Sequence, residues 1–99
     1  MSREYKGRKI VVYPSYIDSK KSRREGRKIR LSDAVPNPGI DEILEACRRL
    51  GLNPVHEEKQ YPRIHGLRGR VLVDKKMSKL STLIAVAREI KRMRGDTRS

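Results

Sequence analysis

Two tyrosines three residues apart, Tyr13 and Tyr16, enclose a Pro-Ser step and run straight into a cationic stretch. Lys20, Lys21, Arg23, Arg24, Arg27, Lys28 and Arg30 all fall before position 31, with Asp18 and Glu25 as the only acids among them. Arginine can fork onto a phosphate or a guanine edge, and lysine supplies a less directional charge. Tyrosine offers a ring to a base or ribose and a hydroxyl to a phosphate. A second segment repeats the composition with Tyr61, Arg63, His65, Arg68 and Arg70. His65 can donate a ring proton while neutral, so it can read a base or a ribose. Arg68 and Arg70, two apart, share one face if both lie in a strand. Two cationic heads beside a core strand are costly as scaffold alone, and a phosphate backbone would relieve them. Together these residues are equipped to recognise a polyanion.

Catalytic chemistry is not assembled anywhere. Cys47 sits at an apolar helical position, where a free thiol is small core filler. His56 and His65 have no partner at metal-ligand spacing, and no glycine-rich phosphate loop follows a strand. Glu57 and Glu58 are adjacent, so in a strand they point to opposite faces and read as solvated or ion-paired groups. The chain is expected to be no enzyme and to need no metal or cofactor. One cysteine makes no internal disulfide, which points to a reducing, cytoplasmic compartment.

The formal charge is +13, from 25 Lys and Arg against 12 Asp and Glu in 99 residues. It is unevenly spread. Residues 1–30 carry 11 basic and 3 acidic side chains, residues 31–60 carry 3 and 6, and residues 61–99 carry 11 and 3. Two basic blocks around an acidic middle suggest one polyanion touched by both ends of the chain. No recognition helix, zinc finger or basic zipper is present for a DNA major groove. Basic loops on a small sheet suit RNA loop tips and minor-groove edges, read through shape and 2′-hydroxyls. The loops lack large apolar anchors for a membrane surface, and no apolar run approaches the roughly 20 residues of a membrane span. The alternative within this class is a ribosomal or other small structural RNA-binding protein.

The elements that must hold these residues follow from periodicity. Arg8 to Pro14 reads as a short strand, which Pro14 ends by removing a backbone donor. Residues 14–36 read as a long polar loop with one turn stopped at Gly26. Ile40, Ile43, Leu44, Cys47 and Leu50 form one apolar face of a helix over about 38–50. Asn37 is the expected N-cap, Pro38 the first helical residue and Gly51 the left-handed stop. Asn53 to Glu58 reads as a second strand, 59–68 as a second basic loop, and Gly69 to Asp74 as a third strand. A last helix over about 79–93 starts after Ser78 and ends at Gly95, leaving a frayed tail over 95–99. The chain is thus read as a single RNA-binding domain with a core over about 8–93. The fold class is α+β, a three-stranded antiparallel sheet with two helices packed on one face (β-α-β-β-α), the third strand between the first two. Leu, Ile and Val number 23 with no Phe or Trp, close to the roughly 20% below which highly charged chains stay disordered. That predicts a small core carrying weakly self-supported loops.

One resemblance spans most of the chain. Tyr13-Pro14-Ser15-Tyr16-Ile17, then Lys20-Lys21, then Glu25-Gly26-Arg27-Lys28-Ile29 resembles the 19 kDa protein family of the signal recognition particle. Its members carry a Tyr-Pro-x-Tyr segment, paired lysines and a Glu-Gly-Arg-Arg/Lys-Ile stretch in that order. The similarity continues through Ala34-Val35-Pro36-Asn37-Pro38 and Gly51-Leu52-Asn53, and resumes at Arg68-Gly69-Arg70-Val71-Leu72-Val73. It implies a non-catalytic monomer that binds signal recognition particle RNA at the tips of helices 6 and 8, chiefly the helix 6 tetraloop. Clamping the two tips would prepare the RNA for the 54 kDa GTPase subunit. Tyr16, Lys20, Lys21, Arg27 and Lys28 then become contacts of the first loop, and Arg63, His65, Arg68 and Arg70 those of the second region. That second loop is shorter than in longer members and matches poorly before Arg68. The absence of a long basic tail implies the compact, archaeal-type form.

Overall fold

Short β-branched runs and two amphipathic stretches settle into five elements. The computed structural model describes residues 8–60 and 68–96. It places β1 over Lys9–Val12, α1 over Ile40–Arg49, β2 over Val55–Gln60, β3 over Arg68–Asp74 and α2 over Lys79–Asp96. The sheet order is β1-β3-β2, with β3 antiparallel to both neighbours, as the element order predicts. Ile10 stands opposite Val73 and Val12 opposite Val71, and all four are buried. The alternate residues Val11, Leu72 and Val55 fall on the other face of the sheet, where Val55 is exposed.

Both helices pack on the face that carries Ile10, Val12, Val71 and Val73. Ile43, Ala46 and Cys47 of α1 join Leu83, Val86, Ala87 and Ile90 of α2 in one continuous core with these strand residues. Ile17, Ile29, Ala34 and Val35 also enter it. The segment over 14–36 is therefore not the loosely held loop that composition predicts. Pro14–Ile17 and Leu31–Asp33 are 3₁₀ turns, and the fully buried Ile17, Ile29 and Val35 each contribute about 1.5–3 kcal/mol of apolar burial. The Val35 amide donates to the Ile17 carbonyl at 3.0 Å and the Ser19 amide to the Val35 carbonyl at 2.8 Å, tying the two limbs together. Overall hydrophobic content understates this segment because its few apolar residues are spaced to reach the core.

Three boundaries differ from the sequence reading. The first helix begins at Ile40, with Gly39 at the N-cap, rather than after Asn37. Asn37 adopts a left-handed φ of 48° and donates its amide to the buried Asp18 carboxylate at 3.1 Å. Asparagine tolerates that conformation, so it makes a corner three residues before the helix. Glu42 reaches back to accept the Gly39 amide at 3.0 Å, half of a capping box. The second strand runs two residues later than expected, after a left-handed Asn53 and Pro54, and its register slips between Glu57 and Gln60. The last helix passes through Gly95 to Asp96. Its final turn is held by Arg94, which donates to both Glu42 carboxylate oxygens at 2.7 Å. Gly51, by contrast, closes α1 with the expected left-handed φ of 72°, and the Ser78 hydroxyl accepts the Ser81 amide at the start of α2.

Candidate nucleic-acid interface

The site begins where β1 meets its proline. Pro14 opens a single 3₁₀ turn, and the Tyr16 amide donates to the Tyr13 carbonyl at 2.9 Å. Ile17, next in the chain, is drawn fully into the core. The turn therefore brings the two tyrosines together, their ring centroids 5.2 Å apart and their planes at 78°. Such an edge-to-face pair is stiff and presents a fixed aromatic surface. Burial, with Tyr13 adding, holds the Tyr16 phenol above its usual range although Arg70 pulls the other way. It stays protonated and can donate to a phosphate or ribose oxygen.

Cations then close on this pair from two directions. The Lys28 amide donates to the Tyr16 carbonyl at 2.8 Å, which folds the returning limb of the loop back alongside it. Lys28 Nζ lies 5.0 Å from the centre of the Tyr16 ring, and Lys79 Nζ lies 4.7 Å from it. Each contact is a favourable cation–π geometry. Two ammonium groups about one ring concentrate positive charge at Tyr16, and an anion beside them would offset it. Arg70 joins from β3: its Nε donates to Glu57 at 2.6 Å and a terminal nitrogen stands 3.5 Å from the Tyr13 hydroxyl. Arg70 is thus neutralised by a cross-strand carboxylate, which removes the cost that the sequence reading assigned to it as bare scaffold.

The loop tip is built to turn its charges outward. Asp18, buried, accepts the Lys20 amide at 2.9 Å. Ser22 and Glu25 exchange reciprocal bonds, the Ser22 amide donating to Glu25 at 2.8 Å and the Glu25 amide to the Ser22 hydroxyl at 3.1 Å. Gly26 follows at φ 126°, where an added Cβ would stand 3.1 Å from the Ser15 hydroxyl. Arg27 points back across the loop, donating to the Lys21 carbonyl at 2.7 Å and the Ile29 carbonyl at 2.9 Å. Lys20, Arg23, Arg24 and Lys28 are left exposed with no ion pair among the described residues.

The structure gathers Tyr13, Tyr16, Lys28 and Arg70 into one patch and sets Lys20, Lys21, Arg23 and Arg24 on the adjoining tip. Arg27 lies among them but spends part of its guanidinium on the loop itself. Arg63 and His65, with Tyr61, lie outside the described residues, and Arg68 is placed by its backbone alone, in β3 opposite Gln60. Lys79 is the addition that sequence reasoning missed. It reads there as the first residue of a helix, and its approach to Tyr16 comes from tertiary packing across more than sixty positions. Among the described residues no cluster of three or more His, Cys, Asp or Glu side chains stands ready for a metal ion. No helix among them is long and apolar enough to cross a membrane.

Known proteins are similar to this chain in sequence and in fold. The sequence pattern of the family described as SRP19 protein matches residues 11–93. The signal recognition particle 19 kDa protein of Desulfurococcus amylolyticus is 67% identical over 95 residues, covering 96% of this chain and 100% of that relative. Among solved structures, SRP19 of the archaeon Pyrococcus furiosus superposes with a TM-score of 0.79 at 29% identity, over 90% of this chain and 95% of that one. That protein is described as one of two that assemble the ribonucleic core of the signal recognition particle. A second structure, of SRP19 in complex with the S domain of signal recognition particle RNA, has a TM-score of 0.75 at 46% identity, over 82% of this chain and 95% of that one. Motif order, the β1-β3-β2 sheet and near full-length similarity agree, and the chain belongs to the SRP19 protein family, the 19 kDa proteins of the signal recognition particle.

Proposed function

We propose that this chain is the non-catalytic subunit that binds signal recognition particle RNA at the tips of helices 6 and 8, with the helix 6 tetraloop as its main site. Holding the tips side by side prepares the RNA for the 54 kDa GTPase subunit, in the cytoplasm, for co-translational targeting of proteins to the membrane. The observation that carries this reading is the Tyr13–Tyr16 pair with Lys28 and Lys79 both within 5.0 Å of the Tyr16 ring. An unstacked base or a ribose suits the rings, and a phosphate suits the ammonium groups beside them. Lys20, Lys21, Arg23 and Arg24 continue the phosphate track along the loop tip. Arg27 holds that tip in shape and has further N–H groups left for the backbone of the RNA. Arg63, His65, Arg68 and Arg70 serve the second contact region.

Footprinting on the full-length RNA tests the clamp. Protection confined to two neighbouring helix tips is the expected result, whereas one continuous protected duplex would mark a general double-strand binder. Competition with ribosomal RNA belongs to the same experiment. Equal displacement by either RNA would return the protein to the broader class of small structural RNA binders.

A further inference from the structure

A groove runs between the first loop and the outer side of α2, with Lys28 of the tyrosine patch on its near edge. One part encloses about 410 Å³ and is lined by Arg23, Arg30, Leu80, Ile84 and Arg88. A second part of about 470 Å³ shares Ile84 and Arg88 with it and continues to Arg92. Leu80 to Arg92 spans about 18 Å at helical rise. The floor is aliphatic: Leu80 is 54% exposed and Ile84 is half-buried. No aromatic ring lines either part.

The rim is cationic even after its own acids are counted. Asp33 is engaged by Arg88 at 3.2 Å, and Glu89 stands 3.8 Å from Arg49 and 3.9 Å from Arg92. Arg23 and Arg30 take no ion pair among the described residues. Nucleobases gain most from flat rings, which the Tyr13–Tyr16 face provides and this groove does not. An aliphatic floor of Leu80 and Ile84, one helical turn apart, suits instead two apolar side chains of a peptide at the same spacing. Arginines along the rim suit carboxylates on the same peptide.

We propose that this groove docks an acidic amphipathic segment of a partner protein, with its apolar side chains on Leu80 and Ile84. Its carboxylates meet Arg30, Arg88 and Arg92. This docking is independent of which RNA the chain binds.

The test is fluorescence anisotropy with a labelled helical peptide of glutamates and leucines, the leucines on one face. The protein is titrated alone and as its complex with signal recognition particle RNA. Saturable binding is expected in both states. Leu80→Asp and Arg30→Glu, both at exposed positions, should each weaken it about tenfold or more while thermal melting stays unchanged. A peptide of the same composition with its leucine face scrambled should bind correspondingly less. Equal binding of the scrambled peptide, or indifference to Leu80→Asp, would reduce the effect to charge attraction and overturn the proposal. So would absence of binding, or a Leu80→Asp variant that loses RNA affinity while RNA expels the peptide, which would give the groove to RNA. If the chain failed to bind the RNA at all, the titration of the protein alone would still decide the groove.

Discussion

Cys47 is fully buried on α1, and burial pushes its thiol up to about 12. The thiolate that reacts with electrophiles is then almost absent at neutral pH. Brief exposure of the native protein to iodoacetamide should leave its mass unchanged, with a single carbamidomethyl group added once denaturant opens the core. Arg27 teaches a different point at the same scale. A positive charge in a basic loop reads as a phosphate contact, but here the guanidinium also bridges the Lys21 and Ile29 carbonyls. Arg27→Ala should weaken binding to a tetraloop-bearing RNA about tenfold or more, since charged hydrogen bonds are worth about 1.5–3 kcal/mol. Arg92→Ala, on the outer side of α2, should leave that affinity nearly unchanged; equal losses would deny a localised site. Residue types announced the loop chemistry, because tyrosine and arginine at close spacing have few other uses. The carbonyl partners of Arg27 were not legible, since they exist only in the folded loop. Lys79 was hidden for a related reason, its role set by where α2 begins in space.

Between elements, the strap from Arg94 of α2 to Glu42 of α1 carries a pH signature. The hydrogen bonds from Arg94, then from the Gly39 amide, hold the Glu42 carboxyl below its usual range despite partial desolvation. A carboxylate depressed in the folded state stabilises the fold above its unfolded value and loses that contribution as the pH falls through the folded value. The loss begins near the ordinary value of 4.5 and deepens below it. Asp74, lowered chiefly by Lys9, acts in the same direction. Urea midpoints measured from pH 7 down to 3 should therefore fall, and Glu42→Gln should lower the neutral value and flatten the acid limb. Helix existence was legible from the apolar repeat over Ile40 to Leu50. The start of α1 was not, because Asn37 spends its amide on Asp18, nineteen positions earlier in the chain. The end of α2 escaped for the same cause, a cross-helix contact overriding the expectation that Gly95 stops the helix.

For the molecule as a whole, the net charge of +13 and its segregation set the behaviour of the complex. An interface neutralising roughly 6 to 10 phosphates should lose about 10³ to 10⁵ in affinity between 50 and 200 mM salt. Filter-binding titrations across that range check the model, and a flat response would exclude phosphate contacts as its basis. Charge pointed at this scale to a polyanion, and the matched motifs narrowed the chain to one family. What charge could not convey is how much of the first loop is core, since Ile17, Ile29 and Val35 are few among many polar neighbours. The sheet order has one more consequence, in the time of synthesis. β3 is the central strand but the last to be made, and Lys9 meets Asp74 across 65 positions. At about 5–20 residues per second, roughly 3 to 11 s pass between completion of β1 and the appearance of its neighbour. Through that interval β1 lacks its sheet neighbour, and β2 is made only near its end. A translation pause before residue 68 should therefore lengthen the time for which β1 is open to unintended pairing.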